Sequence, residues 1–128
     1  MENINKVCIF AQNKNNNIMT VKEINTTEEY NAFINANDNV LRVVKLGAEW
    51  CGPCRVLSDT IANLDSKKVG STIFAEIDVE EDEVGDVISA LAIRSIPVLV
   101  FAKNGTIVDK IVGGISETEL YKFIEKHL

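Results

Sequence analysis

VLRVVKLGAEWCGPC, residues 40–54, is the stretch that decides the fold. Val40 to Leu46 is almost continuously apolar, the pattern of a strand in a sheet covered on both faces. Behind the second cysteine, Leu57, Ile61 and Leu64 recur at helical spacing, which predicts a helix from Cys51 to about Ser66. The two cysteines therefore sit where a strand turns into a helix. A helix N-terminus carries free N–H groups and the positive end of the dipole, which favour a thiolate on the first sulfur. The thiolate is the form that attacks another disulfide. Pro53 fixes one backbone angle between the thiols and limits their separation. Two thiols at this spacing can close into a small disulfide ring and open again.

Working outward, Val21 to Ile24 is a predicted strand, and Thr26-x-x-Glu29 forms a capping box for a short helix to about Asn35. Thr72 to Val79 is the strand after the cysteine helix. Val84, Val87, Ile88 and Leu91 then mark another helix behind an acidic first turn, Glu80 to Glu83. Val98 to Ala102 and Ile107 to Val112 flank Asn104-Gly105, a hairpin signal. Ser116-x-x-Glu119 caps a last helix that turns Leu120, Phe123 and Ile124 inward. Before all of these, Val7 to Phe10 is a candidate short extra strand, and Asn13 to Asn17 a polar loop. The order β-α-β-α-β-α-β-β-α predicts an α/β fold, a mixed sheet with helices on both faces.

The chain has 128 residues, enough for one domain with its own core. Its net charge of −6 argues against nucleic acid as a partner, because phosphate binding needs clustered Lys and Arg. No apolar run approaches the roughly 20 residues of a membrane span. Met1 to Asn17 lack the basic start and long apolar stretch of a secretory signal. Three cysteines are too few for a disulfide scaffold. A reducing, cytoplasmic setting is the expectation.

Trp50-Cys51-Gly52-Pro53-Cys54, Ile96-Pro97, Lys103-Asn104-Gly105 and Val112-Gly113-Gly114 together resemble the thioredoxin family, over about residues 20–128. Residues 1–19 are then an N-terminal extension to that domain. The resemblance implies the thioredoxin fold and reduction of protein disulfides. It implies Cys51 as the attacking thiolate, Cys54 as the resolving thiol, and a cis peptide between Ile96 and Pro97. Trp50, Gly52, Pro53, Ile96, Pro97 and Gly113 are expected to bind an extended client segment. Implied partners are disulfide-containing client proteins and a thioredoxin reductase or another electron donor. No cofactor or metal is expected, and the protein is expected to be a monomer.

Three positions depart from the family pattern. Lys45 stands where the family has a buried aspartate, Gly47 where it has an aromatic, and Asp59 where its helix often has a kinking proline. Glu76 interrupts the next strand at a similar height to Lys45, at the position where the family has a lysine. Lys45 and Glu76 are thus expected to form a charge-swapped pair, since a buried charge is tolerable only with a partner. The pair is expected to tune proton transfer at Cys54.

A structural zinc site needs four ligands, and only Cys8 and His127 are available beyond the cysteine pair. Cys8 reads as a buried apolar thiol, with a regulatory or intermolecular disulfide as the alternative. His127 falls in a last helical turn, where a cation suits the dipole. A binding subunit with idle cysteines is the alternative function. A secretory oxidase is disfavoured by the missing signal and by Gly52-Pro53.

Overall fold

The structure, a computed structural model, describes residues 7–9 as strand backbone and residues 19–128 throughout. The Asn13 to Asn17 loop and the side chain of Cys8 lie outside the described residues. Among the described residues, six strands form one sheet: β1 (Val7–Ile9), β2 (Thr20–Ile24), β3 (Arg42–Gly47), β4 (Ile73–Asp78), β5 (Val98–Lys103) and β6 (Thr106–Val112). Their order is β1-β2-β4-β3-β5-β6. β4 runs parallel to both β2 and β3, while β5 is antiparallel to β3 and β6, and β1 to β2. The sheet is mixed, as the sequence predicts, and β3 lies inside it.

Among the described residues, five helices cover the sheet: α1 (Thr27–Ile34), α2 (Gly52–Ala62), α3 (Ser66–Val69), α4 (Gly85–Ala90) and α5 (Glu117–His127). Side chains alternate across a strand, so β3 feeds two cores. Val43 packs with Leu57, Ile61, Phe74, Phe101 and Leu120, under α2 and α5. Val44 and Leu46 pack with Tyr30, Phe33, Ala75, Ile77 and Val87, under α1 and α4. Burying each large side chain of this kind contributes about 1.5–3 kcal/mol.

Both predicted caps form. Thr26 and Glu29 make a reciprocal capping box on α1, and the Ser116 side chain accepts the Glu119 N–H on α5. Most element bounds fall within a residue of the sequence reading, and three differ by more. The central strand starts at Arg42 rather than Val40, because Asp38 to Val40 form a tight turn before it. The cysteine helix stops at Ala62, not Ser66. Asn63 caps it, Asp65 starts the separate α3, and Leu64 fills the core from the turn between them. Leu64 keeps the apolar spacing alive past the true end. The segment Glu80 to Leu91 is not one helix either: a 3-10 turn, Asp82–Val84, precedes α4.

Candidate active site

The site forms where β3 runs out. Gly47 ends the strand, its carbonyl accepting from Val79 N–H at 2.9 Å, and the chain turns through Ala48 to Cys51. Cys51 is the N-cap of α2, with extended backbone angles, and its sulfur accepts the Cys54 N–H at 3.2 Å. A sulfur rather than a hydroxyl thus takes one of the helix's free donors. Pro53 lies in the first turn, where a missing N–H costs nothing. Cys51 and Cys54 are joined as a disulfide with their Cα atoms 5.3 Å apart.

Cys51 is 6% exposed and Cys54 1%. Cys51 is slightly the more exposed residue, and both are largely covered. The cover is apolar: Ala48, Val79 and Ile96 pack against the pair. Ile96-Pro97 is a cis peptide. The Pro97 carbonyl accepts from Gly113 N–H at 2.8 Å. Gly113 has φ +96°, a conformation side chains rarely adopt, so glycine is required there for this contact. The structure thus brings Ile96 to the disulfide from a distant part of the sequence, with Gly113 bonded to the adjoining Pro97. Trp50 is 68% exposed, and its indole N–H donates to Glu80 at 2.7 Å. Gly52 and Pro53 are exposed beside it.

Behind the disulfide sits the charged pair. Lys45 and Glu76 are register partners on adjacent parallel strands. Lys45 is the one buried charged residue among those described, at 8% exposure. Its ammonium lies 3.7 Å from Glu76 Oε1 and donates to Ser58 Oγ on α2. Gly47 lies against Cys54: a Cβ added there would sit 2.9 Å from Cys54 Sγ and 3.8 Å from Lys45 Nζ. The ammonium and the buried sulfur therefore face each other across the space next to Gly47.

Sequence reasoning missed two participants. Ser58 lies one helical turn after Cys54, so the i, i+4 rule places both on one face. Glu80, read as part of a solvated helix start, instead holds Trp50. His127 lies away from the site: its ring contacts Asp109 on β6 at 3.0 Å. That contact holds the Asp109 carboxyl below its ordinary value, with further lowering from the Lys110 N–H and the Lys126 charge. Among the described residues, no helix is long and apolar enough to cross a membrane.

A disulfide-forming cysteine pair at a helix N-terminus, delivered by an inner strand and packed against Ile96 of a cis-proline loop, defines a thiol–disulfide oxidoreductase. The family profile described as Thioredoxin matches residues 20–126. The chain is 40% identical to thioredoxin H1 of Arabidopsis thaliana over 105 residues, 80% of this chain and 89% of that one. It is 36% identical to an H-type thioredoxin of Nicotiana tabacum over 82% of this chain and 87% of the relative. The solved thioredoxin of Fasciola hepatica superposes with a TM-score of 0.72 at 32% identity, covering 83% of this chain and 98% of that one. The chain belongs to the thioredoxin family and is a protein-disulfide reductase. Thioredoxins as a family act on disulfide substrates and with reductases.

Proposed function

We propose that Cys51 is the attacking thiol and Cys54 the resolving thiol of a protein-disulfide reductase working as a cytoplasmic monomer. The observation that carries this is the Cys51 sulfur, placed at the helix N-cap and accepting the Cys54 N–H. Negative charge on Cys51 is stabilised there both as the attacking thiolate and as the leaving group. Cys51 attacks the client disulfide. One client sulfur leaves and the other stays bound to Cys51. Cys54 then attacks Cys51, the mixed disulfide breaks, and the reduced client departs. The second step is intramolecular and fast because the two cysteines share one helical turn. A reductase returns two electrons to the Cys51–Cys54 bond.

In this reading Trp50, Gly52, Pro53, Ile96, Pro97 and Gly113 bind the client. An extended segment adds backbone hydrogen bonds along the loop edge while its side chains meet Trp50 and Ile96. Lys45 and Glu76 serve Cys54. Glu76 takes the proton as Cys54 becomes nucleophilic, and Lys45 attracts the resulting negative charge. Residues 20–128 are the catalytic domain, and residues 1–19 are an extension outside the reaction.

Insulin reduction driven by a chemical dithiol tests the roles. Cys51→Ser abolishes turnover without accumulating adducts. Cys54→Ser stops turnover and leaves clients covalently attached to Cys51. Adducts trapped in the Cys51→Ser protein, but not in the Cys54→Ser protein, would reverse the assignment.

A further inference from the structure

The loop that carries Ile96 to the disulfide starts at the end of α4. Ala92 has φ +53°, the left-handed conformation that usually calls for glycine after a helix. It lets Ala92 N–H donate to the Ser89 carbonyl and Ile93 N–H to the Ile88 carbonyl, both at 3.0 Å. The Leu91 carbonyl is met from β6 instead, where Lys110 Nζ donates to it at 3.0 Å. That bond fixes the Lys110 ammonium beside the loop. An ammonium has three donors, so one bond to the helix end leaves it able to hold an anion as well.

A pocket of about 210 Å³ opens between this loop and β6. Buried Val98 lines it together with Arg94, Ser95, Lys110 and Val112, all four exposed. Ser95 and Val112 are the chain neighbours of Ile96 and Gly113, so the pocket continues the client groove. Both charged residues in its lining are cations, and among the described residues no carboxylate pairs with either. Asp109, next to Lys110 on β6, is engaged by Lys126 and His127, and strand alternation turns it to the opposite face. The Trp50 wall of the groove has the other sign: Glu80 accepts the indole N–H, and Glu49 is exposed beside Trp50.

Two cations around an open pocket suit a carboxylate, which a guanidinium fork matches with paired hydrogen bonds. We propose that this pocket is a specificity subsite of the client groove, holding an Asp or Glu side chain of the disulfide-bearing segment between Arg94 and Lys110. The inference rests on the reading of Ile96 and Gly113 as client-binding residues. Arg94 stands two residues before Ile96, and alternate residues of an extended segment share a face about 7 Å apart. The carboxylate therefore belongs about two positions from the client cysteine. The acidic Trp50 wall restricts it to one flank. The chain's net charge of −6 alone predicts the opposite, a general preference for cationic clients.

The test uses the full reduced chain carrying Cys54→Ser. Short peptides with one cysteine are activated as thiopyridyl disulfides. The Cys51 thiolate attacks the peptide sulfur, a Cys51–S bond forms, the bond to the pyridine sulfur breaks, and thiopyridone leaves and is read by its absorbance. The peptides carry Gln on both flanks two positions from the cysteine, or Glu on one flank, or Lys on one flank. Rates with dithiothreitol correct for intrinsic reactivity, and the Cys51→Ser, Cys54→Ser protein gives the background from other thiols. Glu on one flank is expected to speed the reaction at least about fivefold over Gln, the scale of one favourable charge pair, and Glu on the other flank to give no gain. Arg94→Gln with Lys110→Gln should bring the Glu-to-Gln ratio below about twofold. Arg94→Glu, at an exposed position, should make Lys on that same flank the faster peptide. No gain from Glu on either flank, or a gain that survives both substitutions, overturns the subsite. Insulin reduction by the wild-type chain separates the two readings. If it is present without any Glu preference, the subsite is wrong and the reductase reading stands; if it is absent and Cys51 captures no peptide, the reductase reading itself fails.

Discussion

Neutralising Glu76 isolates a buried ammonium, and the cost follows from the geometry. Lys45 Nζ lies 3.7 Å from Glu76 Oε1, with the two side chains 10% and 25% exposed. At an effective dielectric of 20, that separation gives about 4 kcal/mol of attraction. Water reaching the part-exposed Glu76 screens part of it, and Ser58 still accepts from the ammonium, so a net loss of about 2 kcal/mol is expected for Glu76→Gln. For a chain of 128 residues that lowers Tm by about 6–8 °C. Lys45→Asp alone should cost as much or more, since it sets two carboxylates side by side. The double change, Lys45→Asp with Glu76→Lys, restores opposite charges on the same two register partners. Thermal melts of the four oxidised proteins give the coupling energy, expected at about 1.5 kcal/mol or more. Stopped-flow of the mixed-disulfide step reports the function. Glu76→Gln should slow release of the client more than its capture. Additivity of the two single changes within about 0.5 kcal/mol would show that the charges do not interact, and the argument from burial would fail.

Gly113→Val places a β-branched residue at φ +96°, where strain of about 1–3 kcal/mol is expected; denaturant unfolding should show that loss, with a raised KM for insulin because the Pro97 contact shifts. Asp109 has a depressed folded-state pKa, caused first by the His127 hydrogen bond. Its contribution is therefore complete above the ordinary aspartate range and is lost as pH falls through the lower folded value. Asp109→Asn should cost about 0.5–1 kcal/mol near neutral pH, and its deficit should shrink in urea melts carried to acid pH. A deficit that stays constant on acidification would exclude the carboxylate as its source. Removing residues 1–17 should leave insulin reduction within about a factor of two, since surface changes seldom reach 1 kcal/mol; a tenfold loss would bring that segment into the mechanism.

The sequence by itself determined the strands, the helix caps and the disulfide-forming cysteine pair. These are local: periodicity sets which faces are buried, Thr26 with Glu29 and Ser116 with Glu119 mark helix starts, and two cysteines three residues apart on a helix N-terminus need no distant partner to be recognised. Element ends were less legible. Leu64 continues the apolar spacing of α2 although a turn has intervened, because the core accepts a leucine from either backbone. What only the tertiary structure decided is what meets the cysteines from elsewhere. Ile96 packs on the disulfide, Gly113 anchors the Pro97 carbonyl, and Glu80 fixes Trp50, each across a long sequence separation. The pairing of Lys45 with Glu76 was readable as a compensation of signs, but its reality depends on register, which no single strand encodes. The close approach of Gly47 to Cys54 was not readable at all. The absence of a side chain at Gly47 lets the Cys54 sulfur pack against the end of β3, and that is a property of packing in three dimensions rather than of any residue.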